Sequence, residues 1–543
     1  MTIPKQPLFD VCVIGSGPAG GVLSKELAEA GAKVVLVEAG RKMTPKDFRY
    51  HTWPYEMPLR GLNETGSQPA AAFPSELLDA FRYENSDKVG IGRVRAVGGR
   101  SIHWTGVCLR FAEDDFRERS TQGIEDDWPI TYKELAPYYS HVEKMIGVTG
   151  SRENLPIVPD GDYLPPLKFR CSEKILKAAC SKMEIPMIPA RKALLTVPHD
   201  NRPPCHYCGH CDSGCDVGAI FSVPVSMFPK AERTGNFTLM ENKLAREILV
   251  NKEGQVRAIS VIDTVTRREE EIRARIFVVS CGNAETARLL LNSKSPRFAN
   301  GIANSNDVVG RYLTGHITYG ARAYLEELVG TAPVNNDGAE DHSYIPRFKL
   351  GVRKPDYAGG FQIQVQHTWF MLPYHAQFVK GFGEQFKQQV RSLQPGYCFL
   401  GCFGKVLAKY ENRLTVDPLQ TDNFGIPIPV VHFRFSDNDM ALWRDMIRTS
   451  GEILDTAKVR LRLPGELHPG GFASHDVGTV RMGSDPKTSV LNSYCQTHEV
   501  KNLFVVDGSC FTTAPEKNPT LTIMALAVRT AHHMADAMRK GDL

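Results

Sequence analysis

Apolar positions near the N-terminus come in short solid runs. In "FDVCVIGSGPAGGVLSKELAEAGAKVVLVEAG" (9–40) one run ends in a glycine turn, a helical repeat follows, and a second run closes the unit. Val22, Leu23 and Leu27 fall at helical spacing, and Gly31 stands where a helix would end. The pattern predicts strand, tight turn, helix, strand. Near the C-terminus Leu521, Met524, Val528, Ala531 and Met534 share one helical face. Asn518 as N-cap and Pro519 as the first helical residue make a good start for that helix. Between them, "FQIQVQHTWF" (361–370) alternates as a half-buried strand should; Gln364, Gln366 and His367 could face a polyol ligand, but exposed strand faces are usually just solvated, and they are read that way.

The turn in the first unit carries Gly15-x-Gly17-x-x-Gly20. The first glycine permits the tight turn, the second lets backbone approach a pyrophosphate, and the third lets helix and strand pack closely. Bare N–H groups and the positive end of the helix dipole then face the phosphates. Glu38, ending the second strand, is placed to accept hydrogen bonds from ribose hydroxyls. A bound dinucleotide is expected. This unit by itself does not distinguish NAD from FAD.

A chain of 543 residues predicts two or three domains. Its 65 basic and 61 acidic side chains are interspersed, so no electrostatic footprint for nucleic acid exists. No apolar run approaches the ~18 residues needed to span a bilayer. With the first predicted strand beginning near Phe9, no room is left for an export leader, and alone the chain is expected in the cytoplasm.

Four of the thirteen cysteines lie in "CHYCGHCDSGC" (205–215). Cys205-x2-Cys208-x2-Cys211-x3-Cys215 reproduces the spacing of a bacterial ferredoxin loop, although Asp216 stands where that loop has proline. The competitors are a four-thiolate zinc site and disulfides. Zinc usually takes two cysteine pairs separated by a longer arm, and disulfides here would close tiny, strained loops. His206 and His210 are read as loop surface. An iron–sulfur cluster is expected, with three-iron and four-iron types both open.

"SHDVGTVRMG" (474–483) and "VVDGSCFTTAPEKNPTLTIMALAVRTAHHMADAM" (505–538) decide the cofactor. With "VGGRSIHWTG" (97–106), "DWPITYKELAPYYSHVEKMIGVTG" (127–150), "ARIFVVSCGNAETARLLLNS" (274–293), "NSNDVVGRYLTGH" (304–316) and "ENRLTVDPLQTDNFGIPIP" (411–429), the chain resembles the glucose–methanol–choline (GMC) oxidoreductases, in family order. The resemblance implies FAD, with His475 as catalytic base and Asn518 as its partner. A neutral imidazole is suited to taking a hydroxyl proton while hydride leaves the adjacent carbon. The same resemblance assigns cofactor contacts to Gly99, His103, Trp104, Thr105, Ala245, Asp507, Pro519 and Thr520. In the pyranose-oxidase branch the histidine corresponding to His103 bonds covalently to the flavin. Related dehydrogenases keep it without the bond, and that is the expectation here.

Iron–sulfur sugar dehydrogenase subunits, acting on glucose or at the 3-position of glucosides, carry a cysteine-rich insertion at a similar point. The implied fold class is α/β: a discontinuous Rossmann-like FAD-binding domain (1–165, 220–315, 466–543), a cysteine-rich loop (199–219) and a substrate domain with an antiparallel sheet (166–198, 316–465). The implied function is oxidation of a sugar or glycoside hydroxyl, with electrons leaving through the cluster to a cytochrome c-type acceptor. A small partner subunit bearing the export signal would carry the chain to the periplasm. The rival readings are an oxygen-dependent pyranoside or C-glycoside oxidase and a non-catalytic flavin electron-transfer subunit.

Overall fold

The computed structural model describes residues 9–48, 81–87, 89–209, 211–332, 338–348, 355–366, 376, 378–466, 468–472 and 474–543. Its first layer is a five-stranded parallel sheet in the order Leu503–Val505, Ala274–Val279, Phe9–Ile14, Val34–Val37, Phe237–Met240. Val11, Val13, Val34 and Leu36 are fully buried, because strands in such a sheet are covered on both faces. The solid apolar runs in the sequence reflect that double cover. Helix Pro18–Glu29 packs against helix Thr520–Lys540, which also packs against Tyr132–Ile146. Leu521, Met524 and Val528 are fully enclosed there, each burial contributing about 1.5–3 kcal/mol.

Chain order reverses at Phe9–Ile14, since its sequence successor lies on one side and two much later segments on the other. Ligands bind at such switch points, beyond the carboxyl ends of the strands. Gly15 follows directly at φ +98°, a conformation that favours glycine.

A second sheet is antiparallel throughout: Val459–Arg462, His316–Leu325, Tyr397–Lys405, Phe361–Gln366, Ser343–Ile345 and Ile188–Pro189, with Gly470–Gly471 also on His316–Leu325. Its register pairs Thr318 with Phe403 and Phe403 with Gln362, and pairs Gly320 with Gly401 and Gly401 with Gln364. Paired residues point to the same side, as do residues two apart on a strand. His316, Phe403, Gln362 and Gln364 therefore share one face. Two smaller sheets complete the chain: the meander Lys243–Val250, Val256–Asp263, Glu269–Ile272, and the hairpin Arg413–Thr421, Pro427–His432 with Arg82–Tyr83 beside it.

Two expectations need correction. The C-terminal helix begins at Thr520 with Pro519 as its cap, not at Asn518, whose side chain is engaged elsewhere. The polar side of Phe361–Gln366 is not solvated at Gln362 and Gln364, which are 0% and 2% exposed. Ile363 and Val365 fill the core on one face while protein also covers the other. His367, His210 and the side chain of Gln366 lie outside the described residues.

Candidate active site

A cavity of about 380 Å³ opens at the switch point. Gly15, Gly17 and Glu38 line it, as do Gly99, His103, Trp104, Thr105, Ala245, Asp507, Pro519 and Thr520, together with His475 and Asn518. Gly20 does not reach the wall. A Cβ there would strike the Gly15 carbonyl and the Ser280 hydroxyl, so its lack of side chain serves the packing of turn on helix. Around Gly17, by contrast, a Cβ would meet open space.

Two buried carboxylates brace the cavity. Glu38 accepts from the Ser16 hydroxyl at 2.6 Å, the Ser16 N–H at 3.1 Å and the Gly40 N–H at 2.9 Å. Asp507 accepts from the Gly282 N–H at 3.1 Å and the hydroxyls of Thr286 and Ser509 at 2.6 and 2.5 Å. Burial raises both carboxyl pKa values, and these donors work against that rise. Each acid ties a turn in place while presenting an edge to the cavity.

These features fit FAD. Backbone free of side chains at Gly17, the N-terminus of Pro18–Glu29 and an enclosed carboxylate at Glu38 suit a dinucleotide. His475 and Asn518 line the same cavity, where they would offer polar groups to the reactive ring. His103 also stands there, and burial pushes its imidazole down to about 4, keeping it neutral.

His475 and Asn518, 43 positions apart, meet across the cavity wall with His475 Nε2 and Asn518 Nδ2 at 3.4 Å. Burial above all holds the His475 imidazole well below its ordinary pKa. It is an unprotonated base at neutral pH. Asn518 Oδ1 accepts from Gln364 Nε2 at 2.8 Å and Gln362 Nε2 at 3.0 Å. His316 Nδ1 lies 2.9 Å from His475 Nδ1, and Phe403 packs its ring against His475.

Sequence reasoning missed His316 and Gln362 and set Gln364 aside. His316 closes the stretch 304–316 that helped identify the family, yet nothing local distinguishes it from a core histidine. The paired glutamines of the alternating strand were visible, but what covers a strand face is not written in the strand.

Cys205, Cys208, Cys211 and Cys215 line one small hollow. None of the thirteen cysteines is joined in a disulfide. Among the described residues, no three histidine, cysteine or acidic side chains are gathered closely enough to hold a metal ion. The loop nonetheless abuts the large cavity. Asp212 lines the cavity, and Trp104, another lining residue, packs in the cluster that contains Cys205, Cys211 and Cys215.

Comparison with known proteins agrees with this architecture. The GMC oxidoreductase family matches through its N-terminal model at residues 13–318 and its C-terminal model at 408–527. The chain is similar to the 2-methyl-1,2-propanediol dehydrogenase of Mycolicibacterium austroafricanum, 31% identical over 97% of this chain and 95% of that one. It is similar to the fructose dehydrogenase large subunit of Gluconobacter japonicus, 26% identical over 98% of both chains. The 6'''-hydroxyparomomycin C oxidase of Streptomyces lividus is 28% identical over 97% of this chain and 91% of its own.

Proposed function

Starting from a chain that belongs to the GMC oxidoreductase family and binds FAD, we propose that it is a dehydrogenase of sugar or glycoside hydroxyls. One observation carries this reading: His475 Nε2 and Asn518 Nδ2 face each other at 3.4 Å on the wall of the cavity that begins at the glycine turn. FAD, when bound, supplies the acceptor for the hydride. His475 takes the hydroxyl proton at Nε2, which raises the tendency of the neighbouring C–H bond to release hydride. Asn518 Nδ2 donates to the substrate oxygen and holds it in line. Trp104 and His103 line the same cavity.

For electron exit we assign the Cys205–Cys215 loop as the seat of an iron–sulfur cluster. The ferredoxin-like spacing and the shared hollow support this, as does the place of Trp104, a cavity-lining residue, in the same apolar cluster as Cys205, Cys211 and Cys215. A cluster would take electrons singly and hand them to a cytochrome c-type partner. A small subunit with an export signal, and with it a periplasmic address, belongs to the same proposal; the similarity to a protein named as a large subunit supports it. No helix among the described residues is long and apolar enough to cross a membrane.

The second reading is an oxygen-dependent oxidase of pyranosides or C-glycosides, favoured by the similarity to the 6'''-hydroxyparomomycin C oxidase. Anaerobic titration separates the readings. Sugars or glycosides should bleach the flavin, with 2-methyl-1,2-propanediol in the panel as a small-diol alternative. Metal analysis should find iron, and Cys211→Ser should leave bleaching intact while slowing reduction of a one-electron acceptor. Rapid peroxide production by iron-free protein would instead establish the oxidase. If neither sugars nor diols bleach the flavin, the non-catalytic electron-transfer reading replaces both.

A further inference from the structure

His475 has two ring nitrogens, and only one tautomer makes it a base toward the cavity. We propose that His316 is a positioning residue that holds His475 in that tautomer, with the proton on Nδ1 and the lone pair on Nε2. The inference rests on the reading of His475 as the catalytic base.

Two backbone carbonyls anchor the hydrogen-bond chain, and carbonyls only accept. At one end the Pro515 carbonyl lies 2.8 Å from His316 Nε2, so that nitrogen carries the proton. A neutral His316 then offers a lone pair at Nδ1, and the nitrogen 2.9 Å away on His475 must be the donor. At the other end the Glu516 carbonyl lies 2.7 Å from the Gln362 amide and fixes that amide with Nε2 toward it. The second hydrogen of Gln362 Nε2 then points at Asn518, as does Gln364 Nε2, so the Asn518 atom between them is the oxygen. That leaves Nδ2 of Asn518 facing His475 Nε2, which must accept. Both ends give the same assignment. Reversing it would set donors against donors in a buried site at more than one link.

Burial keeps His316 neutral, pushing its pKa down to about 4. When His475 Nε2 takes the substrate proton, the Nδ1 proton stays on His475, and its bond to His316 strengthens as the ring becomes charged. A neutral imidazole in this place supports the charged ring but raises its pKa far less than a carboxylate would. The other charged groups facing the pair are committed elsewhere. Arg100 contacts the Ser474 carbonyl and Asp476, Lys405 is held by Glu118 and Glu125, and Glu516 pairs with Lys517 and Arg347.

Heteronuclear NMR of the FAD-loaded protein, with isotopically labelled histidine nitrogens, reads the tautomers directly. The two resonance sets are assigned by their loss in His475→Ala and His316→Asn. The expected result near neutral pH is a proton on Nδ1 of His475 and on Nε2 of His316; a proton on Nε2 of His475 overturns the inference. Substrate-driven flavin reduction gives the second readout. His316→Phe, which removes the acceptor, should lower kcat roughly 10- to 100-fold with little change in KM and move the acid limb of the pH profile downward. His316→Asn, whose Oδ1 can replace Nδ1 as acceptor, should restore most of the rate. Equal rates and pH profiles in wild type and His316→Phe overturn the inference while leaving the role of His475 intact. If no substrate reduces even the wild type, the proposed function fails, and the tautomer measurement still decides the assignment.

Discussion

Asparagine before proline starts a helix well, and Asn518 has the sequence of a cap. Its partners give it a different role. Two glutamine amides fill its oxygen, and its nitrogen is left for His475 and the cavity. His475 in turn keeps a bare Nε2 because burial disfavours its charged form. Replacing His475 by alanine should leave FAD bound, since the glycine turn, Glu38 and Asp507 are untouched. Reduction by substrate should then fall by roughly 100- to 10,000-fold. Stopped-flow absorbance of the flavin checks both statements, and undiminished reduction would remove His475 from the mechanism.

Elements place these side chains by register and by close approach. The turn after Phe9–Ile14 works only because Gly20 lets the helix sit against the Gly15 carbonyl. Gly20→Val should lose most bound FAD and lower the melting temperature; wild-type flavin content in that variant would refute the packing role. On Phe361–Gln366, the alternation of Gln362 and Gln364 with Ile363 and Val365 matches one amide face to the site and one apolar face to the core. Gln364→Leu removes one of two donors to Asn518 Oδ1. With a hydrogen bond contributing about 0.5–1.5 kcal/mol, kcat should drop by several-fold while Tm changes little. A variant with wild-type kcat would show that Gln362 alone suffices.

For the whole molecule, burial has a titration consequence. His103, His316 and His342 are all pushed down to about 4, chiefly by desolvation. Unfolded, each binds a proton near pH 6.5. Between pH 6.5 and about 4 the unfolded chain therefore binds more protons, and stability falls as pH falls. Each such group adds about 1.4 kcal/mol per pH unit to the slope within that window. Denaturant unfolding of the FAD-loaded protein from pH 8 to pH 4 should show a plateau above ~6.5 and a steep decline below it. Stability that is flat across the acid range would mean that these rings are protonated in the fold.

Several features follow from the sequence by itself. The strand, glycine turn and helix at 9–31 are local, since φ preferences and helical periodicity act over a few residues, and His475 and Asn518 stand in recognisable motifs. Tertiary structure decided which face of Phe361–Gln366 meets protein, where the cysteine loop abuts the cavity, and which histidine backs His475. His316 and His475 are separated by 159 positions and meet because one strand's register and one loop's path bring two ring nitrogens within 2.9 Å. Such an encounter depends on pairing between distant strands, and no short-range pattern in either segment encodes its partner.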